Sequence, residues 1–517
     1  MPNVSFVHPT VRRFLPLYET IRDCLAGEVE VKRRRQKYLP MPNAEDQSKE
    51  NVARYQAYIT RAVFYNVAQR TQGGLVGQIF MRSPGVEVPD ALKPVVEDAT
   101  GSGVPLDQTA AEASSFVVAY GRCGLYCDYP SVEASGAEVD DTVTVSKADI
   151  DSGTVRPVIQ VVPPWDCINH RVKKRGAKII LAMVVFREDY ILEDDGFETT
   201  VRDQYRVLRL TKDDEYVIEI YRNKMGTKPD FVFYPKDASG KPIDTIPFTF
   251  VGVQNNDSYP AIPPMYDLCA LNIAHYRNSA DYEEATYMLG QPTPWFSGLT
   301  EEWVDKVMKG GVGLGARGGI MLPVDGAAGL LQVEPNTMSK EAMDQKEAQM
   351  IALGAKLVEA TQAGGVASTA TEAAIDNVSE TSILSSVAKN TATGIVFILQ
   401  CAGRFVGAAT EAIKYNMNTE FDLTNMDANE RAQLLKEFQS NAITFSEYRL
   451  NMKRAGIATL PDEEAKKELN KQAEDALSKA VAEAEAIAAT QPEPTAGASG
   501  AGGGAPKPAA PKPKPGA

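Results

Sequence analysis

Apolar residues recur at helical spacing from the start of the chain. In "HPTVRRFLPLYETIRDCLAG" they fall three and four positions apart and stop at Gly27, which suits a helix end. "ENVARYQAYITRAVFYNVAQRTQGGLVGQIF" repeats the period, with Tyr58, Val63, Phe64 and Val67 on one side. Residues 1 to about 82 are therefore predicted helical, and another helix is predicted over 108–122. The pattern then changes to short apolar runs parted by turn residues. "RCGLYCDYP" and "VRPVIQVVPPWDCINHRV" flank an acidic, Asp- and Ser-rich loop, 132–153. "AKIILAMVVFRED", "DQYRVLRLTK", "DEYVIEIYR" and "DFVFYP" follow at short intervals, a spacing that predicts an antiparallel meander. "DTIPFTFVGVQNND" closes the region.

The helical period returns at Pro263. "PPMYDLCALNIAHYRNSADYEEATYMLGQ" opens on two prolines, which suit a first helical turn, and reaches Gly290 without an internal Gly or Pro. A compact insert follows, read as strand, short helix from Thr300, glycine turn, strand and strand. A second long helix is predicted from Met338 and a third from Thr381 to about Tyr415. The face of the third includes Ile383, Leu384, Val387, Ile395, Ile398, Leu399, Ala402 and Phe405. Between the second and third lies "TQAGGVASTATEAAIDNVSETSILSSVAKN", with no aromatic residue and no basic one before Lys389. Shorter helices and an Ala/Glu/Lys-rich helix are predicted next. The Pro/Gly/Ala-rich tail, 491–517, offers almost no apolar surface and is predicted disordered. The pattern is that of an α+β protein.

Composition narrows the function. Of 517 residues, 44% are hydrophobic and 24% charged, enough for a sizeable core. Lys and Arg number 54 against 68 Asp and Glu, a formal net charge of −14, opposite to a free-standing nucleic-acid binder. Six cysteines do not make a disulfide scaffold. The N-terminus has no apolar run of secretory type. "GIVFILQCAG" falls short of the roughly 20 residues a membrane span needs and reads as the buried face of a helix. The expectation is a soluble protein made in a cytoplasm, with no membrane partner.

Catalytic chemistry is hard to find. Cys123 and Cys127 form a C-x-x-x-C, and Cys167 lies near His170, but four ligands in paired spacing are missing. Buried reduced thiols are the expectation. "GLGARGG" lacks the Lys and hydroxyl of a phosphate-binding loop and reads as a tight turn. No nucleophile elbow or zinc-protease motif occurs. The expectation is a non-enzyme with no catalytic residues, metal or cofactor. One cluster stands out: Lys32, Arg33, Arg34, Arg35 and Lys37 form a basic patch that either meets an acidic partner or nucleic acid, or is a solvated turn.

Several stretches together resemble the portal proteins of tailed bacteriophages, and most closely a portal-like family long labelled only as a domain of unknown function. They are "GEVEVKRRRQKYLP" (Gly27, Lys32, Tyr38, Leu39, Pro40), "RAVFYNVAQRTQGGLVGQIFMRSPGVEVP" (Phe64, Gly74, Gly77, Pro84), "YGRCGLYCDYP", "IPFTFVG", "LNIAHYRNSADYEEATYMLGQPTPWFSG" and "TATEAAIDNVSETSILSSVAKN". The resemblance runs from about residue 10 to 470. It departs at "INHRV", where an aromatic is expected after the Asn, and at "SNAITFSEYR", where a Gly is expected before the Ile.

The resemblance implies a portal fold with long stem and wing helices, a β-meander in the wing and a small α/β clip. It implies an N-terminal wing over 1–262, stem helices over 263–290 and 338–362, a clip over 291–337, a tunnel loop over 363–380, a long wing helix over 381–415 and a helical wing or crown region over 416–490. It further implies a dodecameric ring at one capsid vertex of the virion, assembled in the host bacterial cytoplasm. Its partners would be the large terminase subunit, head-completion and adaptor proteins, and the major capsid and scaffolding proteins. Double-stranded DNA would pass through without sequence specificity. In the clip, Trp295, Phe296, Trp303 and Arg317 would meet terminase and adaptor. In the tunnel loop, Gly364, Gly365, Ser368, Thr369, Thr371, Glu372 and Asp376 would face DNA. The alternatives are a capsid or scaffold protein without a channel, and an enzyme using the acidic loop 132–153 and "GLGARGG".

The tail gives the first test. Limited proteolysis of the full chain should remove residues 491–517 first and leave its assembly unchanged. Protection of that segment would contradict the compositional reading.

Overall fold

A computed structural model describes residues 3–129, 156–222, 228–290, 293–308, 322–331, 337–356, 383–419, 428–440, 442–454, 458 and 464–472. Residues 1–421 cluster as one compact unit and 422–517 as a second.

The first unit opens with α1 (Pro9–Ala26), capped by the His8 side chain, which accepts from the Thr10 amide. It buries Val11, Tyr18, Ile21 and Cys24. A short α2 (Glu28–Arg33) has Glu28 and Glu30 in its first turn and Lys32 and Arg33 in its last, the favourable sense for the helix dipole. The helical stretch expected over 50–80 is instead two helices, α3 (Lys49–Arg61) and α4 (Val67–Ile79). Asn66 caps the second, its side chain accepting from the Gln69 amide at 3.1 Å. The backbone freed by the break is satisfied from elsewhere. The Val63 amide donates to Ser279 Oγ at 3.1 Å, the Asn272 amide group donates to the Tyr65 carbonyl at 2.8 Å, and the Ala68 amide donates to Asn272 Oδ1 at 3.3 Å. Phe64 consequently turns inward and Val63 outward, a choice that helical spacing alone could not make.

After β1 (Gly85–Glu87) and the short α5 (Lys93–Glu97) comes α6 (Leu106–Tyr120). Two sheets follow. In the smaller, β2 (Arg122–Asp128) lies between β3 (Val158–Val162) and β9 (Phe248–Gly252), all antiparallel. In the larger, β4 (Cys167–Arg175), β5 (Lys178–Asp194), β6 (Thr199–Leu210), β7 (Tyr216–Tyr221) and β8 (Phe231–Phe233) lie side by side in chain order. This is the antiparallel meander expected from the spacing. The acidic loop 132–153 lies outside the described residues.

The first long helix is α7 (Tyr266–Gly290), starting just after its prolines. A hairpin of β10 (Thr293–Ser297) and β11 (Ala327–Leu331) separates it from α8 (Met338–Lys356). α9 (Ile383–Val406) is long and apolar enough to cross a bilayer, but half of its most apolar window is buried inside the protein. It packs on β2, β9 and α6. α9 stops short of the expected Tyr415. Gly407 takes φ 72° and the Ala408 amide donates to the Gly403 carbonyl at 2.8 Å, which is a Schellman stop. The residues beyond form β12 (Lys414–Asn416), paired with β1. The α+β class therefore stands.

In the second unit α10 (Ala428–Gln439) and α11 (Phe445–Arg454) pack through Phe438, whose ring stacks on Tyr448 at 4.7 Å. Residues 464–472 are helical. The tail lies outside the described residues.

Helix α9 approaches the small sheet so closely that a Cβ on Gly394 would stand 2.6 Å from Val251 Cγ2 and 3.2 Å from Leu125 Cδ1. Gly394→Val should therefore lower stability by about 1–3 kcal/mol through overpacking. Gly73→Ala, on an open face of α4, should raise it by roughly 0.5–1 kcal/mol. Denaturant midpoints of the two variants and the parent check both signs.

Candidate functional site: the insert between two long helices

The inner half of α7 belongs to the core. Leu268, Cys269, Asn272, Ile273, Tyr276, Ser279 and Ala280 are buried. Its outer half is different. From Asp281 to Gln349 no described residue is buried, and burial resumes at Met350 on α8. α8 lies along α7. His275 on α7 faces Glu347, Lys346 and Asp344 of α8; burial lowers its pKa, and Glu347 opposes that shift. Where α7 leaves the core, a cleft of about 250 Å³ is lined by Arg54, Tyr58, Asp281, Glu284 and Met288 among others. Its carboxylates are already engaged. Tyr58 donates to Asp281 Oδ1 at 2.6 Å, Arg61 pairs with Glu284, and Arg54 approaches Glu284 at 3.5 Å. The Arg61 guanidinium also covers the Tyr287 ring at 4.2 Å.

The hairpin that follows pairs Trp295 with Gly329. A Cβ at Gly329 would stand 2.9 Å from Trp295 Nε1 and 3.0 Å from two of its ring carbons. The indole therefore lies flat across the opposite strand, and only glycine leaves it room. Thr300 caps a helical turn, Glu301–Trp303, that sets Trp303 near Phe296, their ring centroids 6.3 Å apart. The structure thus brings Trp295, Phe296 and Trp303 onto one small hairpin module. Trp295 is 44% exposed and Leu330, on the opposite face of the hairpin by its pairing with Pro294, 59%; Val324 and Val304 are also exposed. Gly329 is the residue that sequence reasoning missed, and its place opposite Trp295 appears only once the register is known. Arg317, the "GLGARGG" turn, the tunnel-loop residues Gly364, Gly365, Ser368, Thr369, Thr371, Glu372 and Asp376, and the end of the predicted second stem helix (357–362) lie outside the described residues.

The basic cluster sits elsewhere, around α2. Asp23, only 1% exposed, accepts from Arg34 at 2.8 Å, from Lys37 at 3.2 Å and from the Tyr38 hydroxyl at 2.6 Å. Burial and the Asp23 carboxylate raise the Tyr38 pKa. Glu19 binds Arg34 and Lys37, Glu30 binds Arg33 and Arg34, and Glu28 binds Lys32. Among the described residues, Arg35 alone of the five makes no ion pair. The run is thus largely a scaffold for the α1–α2 corner. The signal in the sequence was Asp23, an acid on the apolar face of α1.

The thiols are all buried and unpaired. Burial pushes Cys167 up to about 11, against the pull of Arg122. His170 is held down at about 4, first by burial and then by Arg122 and His8, whose ring centroid is 4.8 Å away. His170 is therefore neutral at pH 7 and packs as a core ring. Among the described residues no group of three or more His, Cys, Asp or Glu could hold a metal ion.

Residues 264–406, which span α7, the insert, α8 and α9, match a family described as a domain of unknown function (DUF4055). The match covers less than half of the chain. No curated protein matches it. Solved structures similar to it include a chain of the virion of a native gene transfer agent particle (13% identity, TM-score 0.36) and a chain of the neck of an empty gene transfer agent particle (13% identity, TM-score 0.38). Each likeness covers 77% of this chain and 92% of the other. At that identity and TM-score neither likeness carries a functional argument.

Proposed function

We propose that this chain is a non-catalytic structural protein of a tailed-phage type particle. More specifically, it is the subunit of a portal ring at one capsid vertex. The observation that carries the reading is the coreless stretch between Ala280 and Met350. A pair of long helices and an aromatic hairpin with no buried residue among those described cannot stabilise itself as an isolated core does. Trp295 and Leu330, exposed on opposite faces of the hairpin, give it apolar side chains for neighbours on either side. In a ring, the outer parts of α7 and α8 would pack against adjacent copies as the stem. The hairpin would be the clip, offering Trp295, Phe296, Trp303 and Arg317 to the terminase and later to the head-completion proteins. The family match over 264–406 covers the same segments. The dodecameric count and the capsid and scaffolding partners come from the sequence resemblance alone.

The loop over 363–380 would line the channel. It has Glu372 and Asp376 but no Lys or Arg. Each phosphate neutralised by a cation adds counterion-release free energy, so a basic loop repeated around a ring would hold DNA that must slide. Gly364 and Gly365 give the constriction backbone freedom.

Negative-stain microscopy of the purified full chain tests the ring. Closed rings with a central hole are expected; particles that stay monomeric at all concentrations would sink the reading. The loop has its own test. Replacing Ser368, Thr369 and Thr371 by Lys should leave rings intact but slow DNA packaging, most at low salt. Log affinity for DNA falls with log salt by roughly 0.9 per neutralised phosphate. Packaging rates equal to the parent at every ionic strength would remove this loop from the channel.

A further inference from the structure

The large sheet carries a second surface that the stem and clip do not use. β4 pairs with β5 only as far as Phe186, and β7 pairs with β6 only from Tyr205. Beyond those points, from Glu188 and Gln204 outward, β5 and β6 pair only with each other among the described residues. They form a two-stranded arm, a construction that is marginal alone in water. Residues 191–202 are all exposed. Phe197 at the tip is 97% exposed, with Ile191, Leu192 and Val201 exposed behind it. Between 188 and 204 lie seven acidic residues and one basic.

At the other end of β5 the charge reverses. Residues 171–178, "RVKKRGAK", contain five basic residues and no acid. Lys173 pairs with Asp214, and Arg175 with Asp214 and Asp244. Arg171, Lys174 and Lys178 are exposed and make no ion pair among the described residues. Val172 and Ile179 are exposed between them, Ile179 at 67%. β4 is the edge strand of the sheet. Among the described residues the chain covers only its start, where the His8 amide donates to the Ile168 carbonyl at 2.9 Å.

We propose that the acidic β5–β6 arm of one copy of this chain docks along the basic β4–β5 corner of a second copy. Charge and apolar residues match on both sides. The arm cannot reach its own corner, because the two lie at opposite ends of one strand. β5 runs from Lys178 to Asp194, which at about 3.3 Å per residue is roughly 50 Å. The contact therefore joins two different surfaces, the head-to-tail kind that closes into a ring when the rotation allows. It rests on the ring reading only in needing copies that meet side by side, and no DNA channel enters it.

The test uses the full chain, whose native thiols are buried. A double variant, Val172→Cys with Phe197→Cys, should give a ladder of disulfide-linked multimers on mild oxidation, and neither single variant should. Glu193→Lys, Asp194→Lys and Glu198→Lys together should weaken self-association by roughly tenfold or more. So should Arg171→Glu, Lys174→Glu and Lys178→Glu together, and combining both sets in one chain should restore it. Rings without a ladder would overturn this contact and leave the ring reading standing. A disulfide-linked dimer from Phe197→Cys alone would overturn it in favour of arm-to-arm contact. Monomers without a ladder would overturn both.

Discussion

The seating of α9 on the three-stranded sheet holds the first unit together. One side of the helix, from Leu384 and Val387 through Ile395 and Ile398 to Ala402, is completely buried. Gly394 lets it descend onto Val251 and Leu125. Polar groups fix its position along the sheet. Asn390 donates to the Gly252 carbonyl at 2.8 Å, and Asn256 donates back to the Asn390 carbonyl at 2.9 Å. On the other side Ser114 of α6 meets Thr391, and near the end Tyr129 stacks on Phe405 at 4.7 Å. Close packing of this kind tolerates little change of volume. Segments more than a hundred residues apart in sequence therefore depend on one helix.

The coreless insert is the counterpart of that layer. α7 enters the core on one side and α8 returns to it at Met350, so the core fixes both ends of a segment whose described residues bury nothing themselves. Its apolar residues remain at the surface, where they favour association. The electrostatics divide in the same way. The run Lys32–Lys37 is mostly neutralised by Asp23, Glu19, Glu28 and Glu30, whereas at the two ends of β5 Arg171, Lys174 and Lys178, and Glu193, Asp194 and Glu198, stay exposed. A run that stands out in the sequence is spent on internal structure. Two that do not stand out, separated by a single strand, keep exposed charges that could meet a neighbour.

Much of this was legible in the residues. The helices of α1, α6, α7, α8 and α9, the meander β4 to β8, and the strand and short helix carrying Trp295, Phe296 and Trp303 all follow from periods of 3.6 and 2, which are local properties. The stop of α9 at Gly407 was not read, because the apolar pattern runs past it toward Tyr415. The break between α3 and α4 was not, because it is held open by Asn272 and Ser279, some two hundred residues away.

By itself the sequence determined the α+β class, the order of the elements and the absence of basic residues from the loop over 363–380. Each depends only on which residues are neighbours along the chain. The tertiary structure decided the rest: that β9 joins β2 and β12 joins β1, that Asp23 takes up the basic run, that Gly329 makes room for Trp295, and that the described residues between Ala280 and Met350 share no core. These depend on which distant residues meet, and burial and ion pairing are set by that meeting rather than by any local period.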